Sequence, residues 1–149
     1  MIPAATKAAP SSSAGTILAF DFGTRRTGVA VGEASLKLAH PLATIDAHDD
    51  DERLAAIAAL VAEWQPGALV VGLPTHADGT PHEMTARARG FAKRLEARFG
   101  LDVVLVDERY TSETAGAALS AAAARKRRPL RDRVAAQIIL QAYFDQRPA

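Results

Sequence analysis

The sequence contains no cysteine. That absence excludes a disulfide framework, thiolate zinc sites, iron–sulfur clusters and a cysteine nucleophile. Aromatic residues are only 5% of the chain, and none forms a motif for stacking RNA bases. No apolar run approaches the roughly 18–20 residues of a membrane span, so no membrane partner is expected. The opening stretch MIPAATKAAPSSSAG has one Lys and no apolar core of signal-peptide length. A secretory signal is therefore not expected, and the expected address is the cytoplasm. Net charge is also nearly absent, since 18 basic residues against 17 acidic ones leave +1.

What is present is more specific. A chain of 149 residues suits one domain and buries about 68–70% of its unfolded surface without staples. The basic residues are mostly arginine, 14 against 4 lysines, and Arg is favoured where a planar fork grips phosphate. Charge is also segregated. Residues 125–133 read RKRRPLRDR, and residues 46–53 read DAHDDDER. A basic strip that includes Arg128 and Arg131, beside specific acids, points to a polyanionic ligand. The plain alternative is a solvated charged loop.

Residues 1–15 are rich in Ala, Pro and Ser without periodicity, which predicts a disordered tail before a single domain over 16–149. TILAFDFG and TGVAVGE, joined by a tight GTRR connection, predict a β-hairpin. A third strand is expected over Leu36–Thr44, with Pro41 indicating a sheet edge. Asp49 and Glu52 form a reciprocal cap for a helix whose inward face is Leu54, Ile57, Leu60, Val61 and Trp64. ALVVG and DVVLVD read as strands buried on both faces. Thr80, Pro81 and Glu83 predict the start of a helix with Met84, Ala88, Phe91, Leu95 and Phe99 facing inward, ended by Gly100. Thr111 is expected to cap an Ala-rich helix reaching Ala124, and Asp132 to open a last, well-buried helix to Phe144. The order β-β-β-α-β-α-β-α-α predicts an α/β fold: a mixed five-stranded sheet, antiparallel at first and then built by parallel crossovers, with helices on both faces.

Ligands of open α/β sheets collect beyond the carboxyl ends of adjacent parallel strands. Asp21 ends the first strand, Asp107 and Glu108 end the fifth, and Asp132 lies at the last helix. If the first, fourth and fifth strands are neighbours, these acids share one end of the sheet. Clustered carboxylates repel one another unless a cation or a retained proton relieves them. Oxygen ligands without Cys, and four histidines without metal-ligand spacing, favour Mg²⁺ or Mn²⁺. Two such ions about 3.5–4 Å apart support phosphodiester cleavage. Each acid also has a bland reading: an Asp before a glycine turn, a strand-end carboxylate beside Arg109, an acid favoured by a helix N-terminal dipole. The weight rests on their combination.

The segments ILAFDFGTRRTGVAVGE, VVGLPTHADGT, VDERYTSETA and DRVAAQIILQAYF together resemble the YqgF family of Holliday-junction resolvase-like proteins, regarded as nucleases that mature the 5′ end of pre-16S rRNA. The resemblance covers nearly everything after residue 15. It implies an RNase H-like fold, a Mg²⁺- or Mn²⁺-dependent hydrolase, and catalytic metal ligands at Asp21, Glu108 and Asp132. Asp107 matches the same DER motif, but adjacent strand residues face opposite ways, so Glu108 is preferred. Arg25, Arg26, Arg109, Thr111, Arg128 and Arg131 are the expected substrate contacts. The match departs from the family at Arg131, where an aliphatic residue is usual. The expected partner is precursor ribosomal RNA, inside or outside a pre-ribosome, handled by a monomer or homodimer. Three rivals share these residues: a resolvase acting on branched DNA, a sugar-kinase or actin-like ATPase suggested by DFGTRRTG, and a noncatalytic ribosome-associated factor. The chain is too short for the two clamping halves of the ATPase.

Overall fold

The computed structural model describes residues 15–74, 83–108 and 128–146, with backbone alone at 128–130. The expected N-terminal tail, the helix-start residues Thr80 and Pro81, the Ala-rich helix over 111–124, and the side chains of Arg109, Thr111 and Arg128 lie outside what is described.

Five strands form one sheet: β1 (Thr16–Asp21), β2 (Arg26–Glu33), β3 (Leu38–Asp46), β4 (Ala68–Leu73) and β5 (Asp102–Asp107). Their spatial order is β3-β2-β1-β4-β5. β1–β2 and β2–β3 are antiparallel, and β1–β4 and β4–β5 are parallel. The mixed sheet expected from the strand pattern is therefore present, with the first, fourth and fifth strands adjacent. β3 is one edge strand, as Pro41 indicated, and β5 is the other, so DVVLVD is less buried than its apolar run implied. It runs two residues later than expected, and its register with β2 shifts between Val29 and Ala30, where Ala30 pairs with Pro41. A bulge lets a residue without an N–H sit in a paired strand.

Residue alternation decides which face each side chain serves. Leu18 and Phe20 of β1 join one buried cluster with Leu69 and Val71 of β4. Ile17, Ala19 and Val70 join the opposite one. Both faces are covered, which is why β1 and β4 read as continuous apolar runs.

Two helices cover the first face. Helix α1 (Asp50–Trp64) contributes Leu54 and Ile57, with Leu60, Val61 and Trp64 packed against the same cluster. Asp49 Oδ1 accepts from the Glu52 N–H at 2.8 Å, while Glu52 Oε1 accepts from the N–H of His48 at 2.7 Å, one residue before the usual partner. Helix α2 (Thr85–Phe99) buries Ala88, Phe91, Ala92 and Leu95. It starts later than the Thr80-Pro81 signal implied. Glu83 and Met84 form a turn, and the Thr85 hydroxyl donates to the Pro74 carbonyl just after β4, so tertiary anchoring sets the start. Gly100, at φ 64°, ends it as expected. Gly90 stands inside α2, and beyond the helix's own backbone no heavy atom of the described residues lies within 4 Å of where a Cβ would be. An interior glycine costs a helix about 0.8–1.0 kcal/mol relative to alanine.

Helix α3 (Arg128–Gln146) covers the second face. It begins four residues before the expected start at Asp132. Pro129 did not stop it, because proline in the first turn lacks only an N–H that has no helical acceptor. Ala136, Ile139, Leu140, Tyr143 and Phe144 are buried against the sheet. Gln137 Nε2 donates to the Ala39 carbonyl at 3.0 Å, and Gln141 accepts from the Ala39 N–H at 3.1 Å and donates to the Lys37 carbonyl at 2.9 Å. These bonds occupy main-chain groups of the edge strand. Among the described residues, no helix is long and apolar enough to cross a membrane.

Phe144 is 2% exposed at the centre of this second layer. Phe144→Ala is expected to lower stability by roughly 3–5 kcal/mol, measured by urea denaturation.

Candidate active site

The carboxyl ends of β1 and β5 flank that of β4, and the acids gather there. Asp21 ends β1 and pairs with Gly28 of β2. Asp107 ends β5 opposite Leu73 of β4, and Glu108 follows it. Ile17 and Ala19 face α3, so alternation turns Asp21 the same way. Val106 also faces α3, which places Glu108 on that face and Asp107 on the other.

Two glycines make room for this arrangement. A Cβ on Gly28 would collide with the backbone carbonyl of Asp132. The absence of a side chain there lets α3 lie directly on β2, with Asp132 beside the strand position opposite Asp21. A Cβ on Gly72 of β4 would collide with Ile139 Cδ1 and stand 2.7 Å from Glu108 Oε2. Gly72 thus opens the space in which the Glu108 carboxylate crosses the neighbouring strand.

The electrostatics register the convergence. Burial, then the nearby Glu108 and Asp132 charges, push the Asp21 carboxyl up to about 8, against a smaller lowering effect of Arg131. Burial, then Asp107, pushes Glu108 up to about 7. Asp132 is held by an ion pair in which Arg26 Nε donates to its Oδ2 at 2.9 Å, with the two side chains 30% and 22% exposed. Three segments distant in sequence therefore place acids within electrostatic reach of one another.

The expected basic contacts fall into different settings. Arg26 has Asp132 as its partner, so the structure gives it an orienting contact in addition to any phosphate it meets. Arg25 is exposed and pairs with Asp46 at 3.1 Å. Arg131 is exposed and near enough to Asp21 to act on its charge. The structure also reveals a positioning arginine that the sequence reading passed over inside an acidic run. Arg53 is 2% exposed. Its Nη2 donates to the Thr24 carbonyl at 2.6 Å, its Nη1 pairs with Asp50, and its guanidinium carbon lies 5.0 Å from the Phe22 ring centroid. It ties the turn after Asp21 to α1. The signal was available only as one cation ending DAHDDDER.

A sheet of this order, with acids at the carboxyl end and a helix laid across one face, defines the RNase H-like class of fold. Two solved structures share it. One is T. thermophilus RuvC in complex with a Holliday junction substrate, with a TM-score of 0.53 and 18% identity, covering 87% of this chain and 92% of that one. Another is the fowlpox virus resolvase with Holliday junction DNA, with a TM-score of 0.53 and 9% identity, covering 87% and 97%. At those identities the likeness is one of fold. The chain itself belongs to the RuvX family, described as Holliday junction resolvase, whose model matches residues 15–146. Relatives bearing the name "Putative pre-16S rRNA nuclease" include one from Nitrosospira multiformis, 59% identical over 91% of each chain. Another, from Chromobacterium violaceum, is 58% identical over 87% of this chain and 96% of its own. These matches bear out the family resemblance of the four motifs.

Two measurements follow from the geometry. Gly72→Ala should destabilise the fold by about 1–3 kcal/mol through overpacking. Because Glu108 is one of the two residues met, Glu108→Ala should relieve part of that loss, and a double-mutant cycle in urea reads the coupling. The second concerns pH. Asp21 in the unfolded chain titrates near 3.8 and in the folded chain near 8. Between those values the folded state keeps a proton that the unfolded state has released, so stability falls as pH rises and levels off above 8. In chelator-containing buffer, Asp21→Asn should gain stability over wild type progressively from pH 4 to 8, on the order of a few kcal/mol, with a constant difference beyond. Thermal melts across that range provide the check.

Proposed function

We propose that this protein is a divalent-metal-dependent nuclease that hydrolyses phosphodiester bonds, acting in the cytoplasm on the 5′ end of precursor 16S rRNA. The observation that carries the reading is the gathering of Asp21, Glu108 and Asp132 at the carboxyl end of the sheet, where burial with the Glu108 and Asp132 charges raises the Asp21 carboxyl and burial with the Asp107 charge raises that of Glu108. The substrate is supported by the naming of relatives at 55–59% identity.

The donor set fits Mg²⁺ or Mn²⁺. All three candidate ligands are carboxylates, and hard oxygen donors suit these ions. Among the described residues, no three His, Asp or Glu side chains are arranged to hold one ion, which accords with Asp132 being engaged by Arg26. Magnesium is commonly held by one or two carboxylates plus water and substrate oxygens, a number that Asp21 and Glu108 supply. When bound, the ion supplies Lewis acidity toward a phosphodiester and activation of the attacking water.

The chain's own residues do the remaining work. Asp21 and Glu108 would hold the ion as carboxylates, so its binding would compete with their protons and strengthen as pH rises. Arg26 orients Asp132 and limits its repulsion of Asp21. Arg131 and Arg25, exposed on the same end of the sheet, meet phosphate oxygens, together with Arg109, Thr111 and Arg128 from the adjoining sequence. Gly28 and Gly72 leave the room in which Asp132 and Glu108 approach the sheet.

A second reading, cleavage of branched DNA by the same acids, is favoured by the description of the family as Holliday junction resolvase. The two are separated by incubating wild type and Asp21→Asn with a pre-16S 5′ leader and with a four-way DNA junction, in Mg²⁺ or Mn²⁺ and in chelator. Wild type should cut the RNA leader only with metal, and the variant should lose at least about 100-fold in rate while melting cooperatively. Cutting confined to the junction selects the second reading. Undiminished RNA cleavage by Asp21→Asn rejects the site, and metal-dependent ion binding without cleavage of either substrate selects a noncatalytic nucleic-acid-binding role.

A further inference from the structure

The face of the sheet opposite the acids carries a cleft of about 470 Å³ between the start of α1 and the middle of α2. Its inner end is Phe22, the residue after Asp21, and the turn residue Thr24. From α2 it is lined by Arg87, Gly90 and Arg94, whose spacings of three and four residues place them on one helical face.

Gly90 makes this cleft unusual. Glycine is the poorest helix former apart from proline, and an interior helical glycine generally answers a packing need. Here, beyond α2's own backbone, no atom of the described residues lies within 4 Å of a Cβ built on it. Among the described residues the space over Gly90 is open, and Arg87 and Arg94 line it. Arg94 is oriented by Asp50, which also pairs with the buried Arg53. Arg87 has no ion-pair partner among the described residues, and Asp49 is engaged as the α1 cap. The uncompensated charge of the cleft is therefore positive and stands at Arg87. Arg53 Nε is buried without a hydrogen-bond partner, so the anchor of this charge network is itself incompletely satisfied.

We propose that the Arg87–Gly90–Arg94 face of α2 seats a phosphodiester of the single-stranded RNA substrate, beside the strand position presented to Asp21. The bare backbone at Gly90 admits the sugar–phosphate chain more closely than any side chain would. Arg87 and Arg94 grip it from either side. Asp21 ends β1 facing α3, and Phe22, the next residue, packs on the opposite face and lines the cleft, so a strand crossing the end of the sheet meets the acids on one side and this cleft on the other. The proposal rests on the nuclease reading for its choice of polyanion.

The test is fluorescence anisotropy of a short labelled single-stranded RNA with the full chain in chelator, so that binding is read without cleavage. Arg87→Ala should weaken binding by about tenfold, the loss of one charge-assisted contact, and Gly90→Leu by about as much, through a side chain that fills the space the phosphodiester would occupy. Arg87→Ala should also reduce the salt slope of log affinity by about 0.7. Gly90→Ala should melt at a higher temperature than wild type while binding RNA less tightly, a divergence that a packing role for Gly90 would not produce. Asp21→Asn should bind at least as well as wild type. RNA binding by Gly90→Leu equal to wild type overturns the cleft assignment, and so does a change in solution mass on Gly90 substitution, which would mean that a second copy fills the space. If wild type cleaves RNA while the cleft variants bind it normally, only this inference fails. If wild type neither binds nor cleaves RNA, the nuclease reading fails with it.

Discussion

Carboxylates of like charge do not gather without something to hold them. Here the backbone is the holding device. Asp21 is presented by a strand with neighbours on both sides, Glu108 leaves the end of a second strand, and Asp132 is carried by a helix seated directly on a third. Each attachment is part of a hydrogen-bonded sheet or a buried apolar layer, so repulsion among three groups is opposed by the cohesion of the whole domain. Proton retention and the Arg26 pair relieve what remains. The rest of the architecture can be understood as the support for that unfavourable cluster.

The sheet also acts as a divider. At the end of β1, three successive residues have different duties: Phe20 faces the α1–α2 layer, Asp21 the α3 layer, and Phe22, just past the strand, returns to the first, where its ring stacks on Phe91 at 4.7 Å between centroids. Asp21 is thereby turned toward one layer and the Arg87–Arg94 cleft opens on the other. Each side holds both signs of charge: Arg26 and Arg131 stand with the acids, and Asp49 and Asp50 with the cleft arginines.

Much of this was legible from residue order alone. Continuous apolar runs announced strands covered on both faces, Pro41 announced an edge, and the positions of Asp21, Glu108 and Asp132 implied one shared end once strand adjacency was supposed. Helix starts were harder, because local signals compete with tertiary anchors. Asp132 carries the marks of a first-turn residue, yet α3 begins at Arg128 because a proline in the opening turn breaks no helical bond. Thr85 took over the start of α2 through a bond to Pro74, a partner eleven residues away that no local pattern reveals. Gly72 and Arg53 were invisible for a related reason. Each is explained by what stands opposite it in space, Glu108 and Ile139 for the one, Phe22 and the Thr24 carbonyl for the other.

The seating of α3 on Gly28 bears on how the domain comes into being. Chains are made from the amino end, and domains assemble as they emerge. The hairpin, its edge strand and the two-helix layer can condense first, leaving Ile17, Ala19 and Ala30 bare on the other side until α3 has been synthesised. Asp132 arrives on that same helix. Docking of α3 therefore accomplishes two things at once: it covers the greasy flank of the sheet, and it carries Asp132 to Gly28, the strand position paired with Asp21.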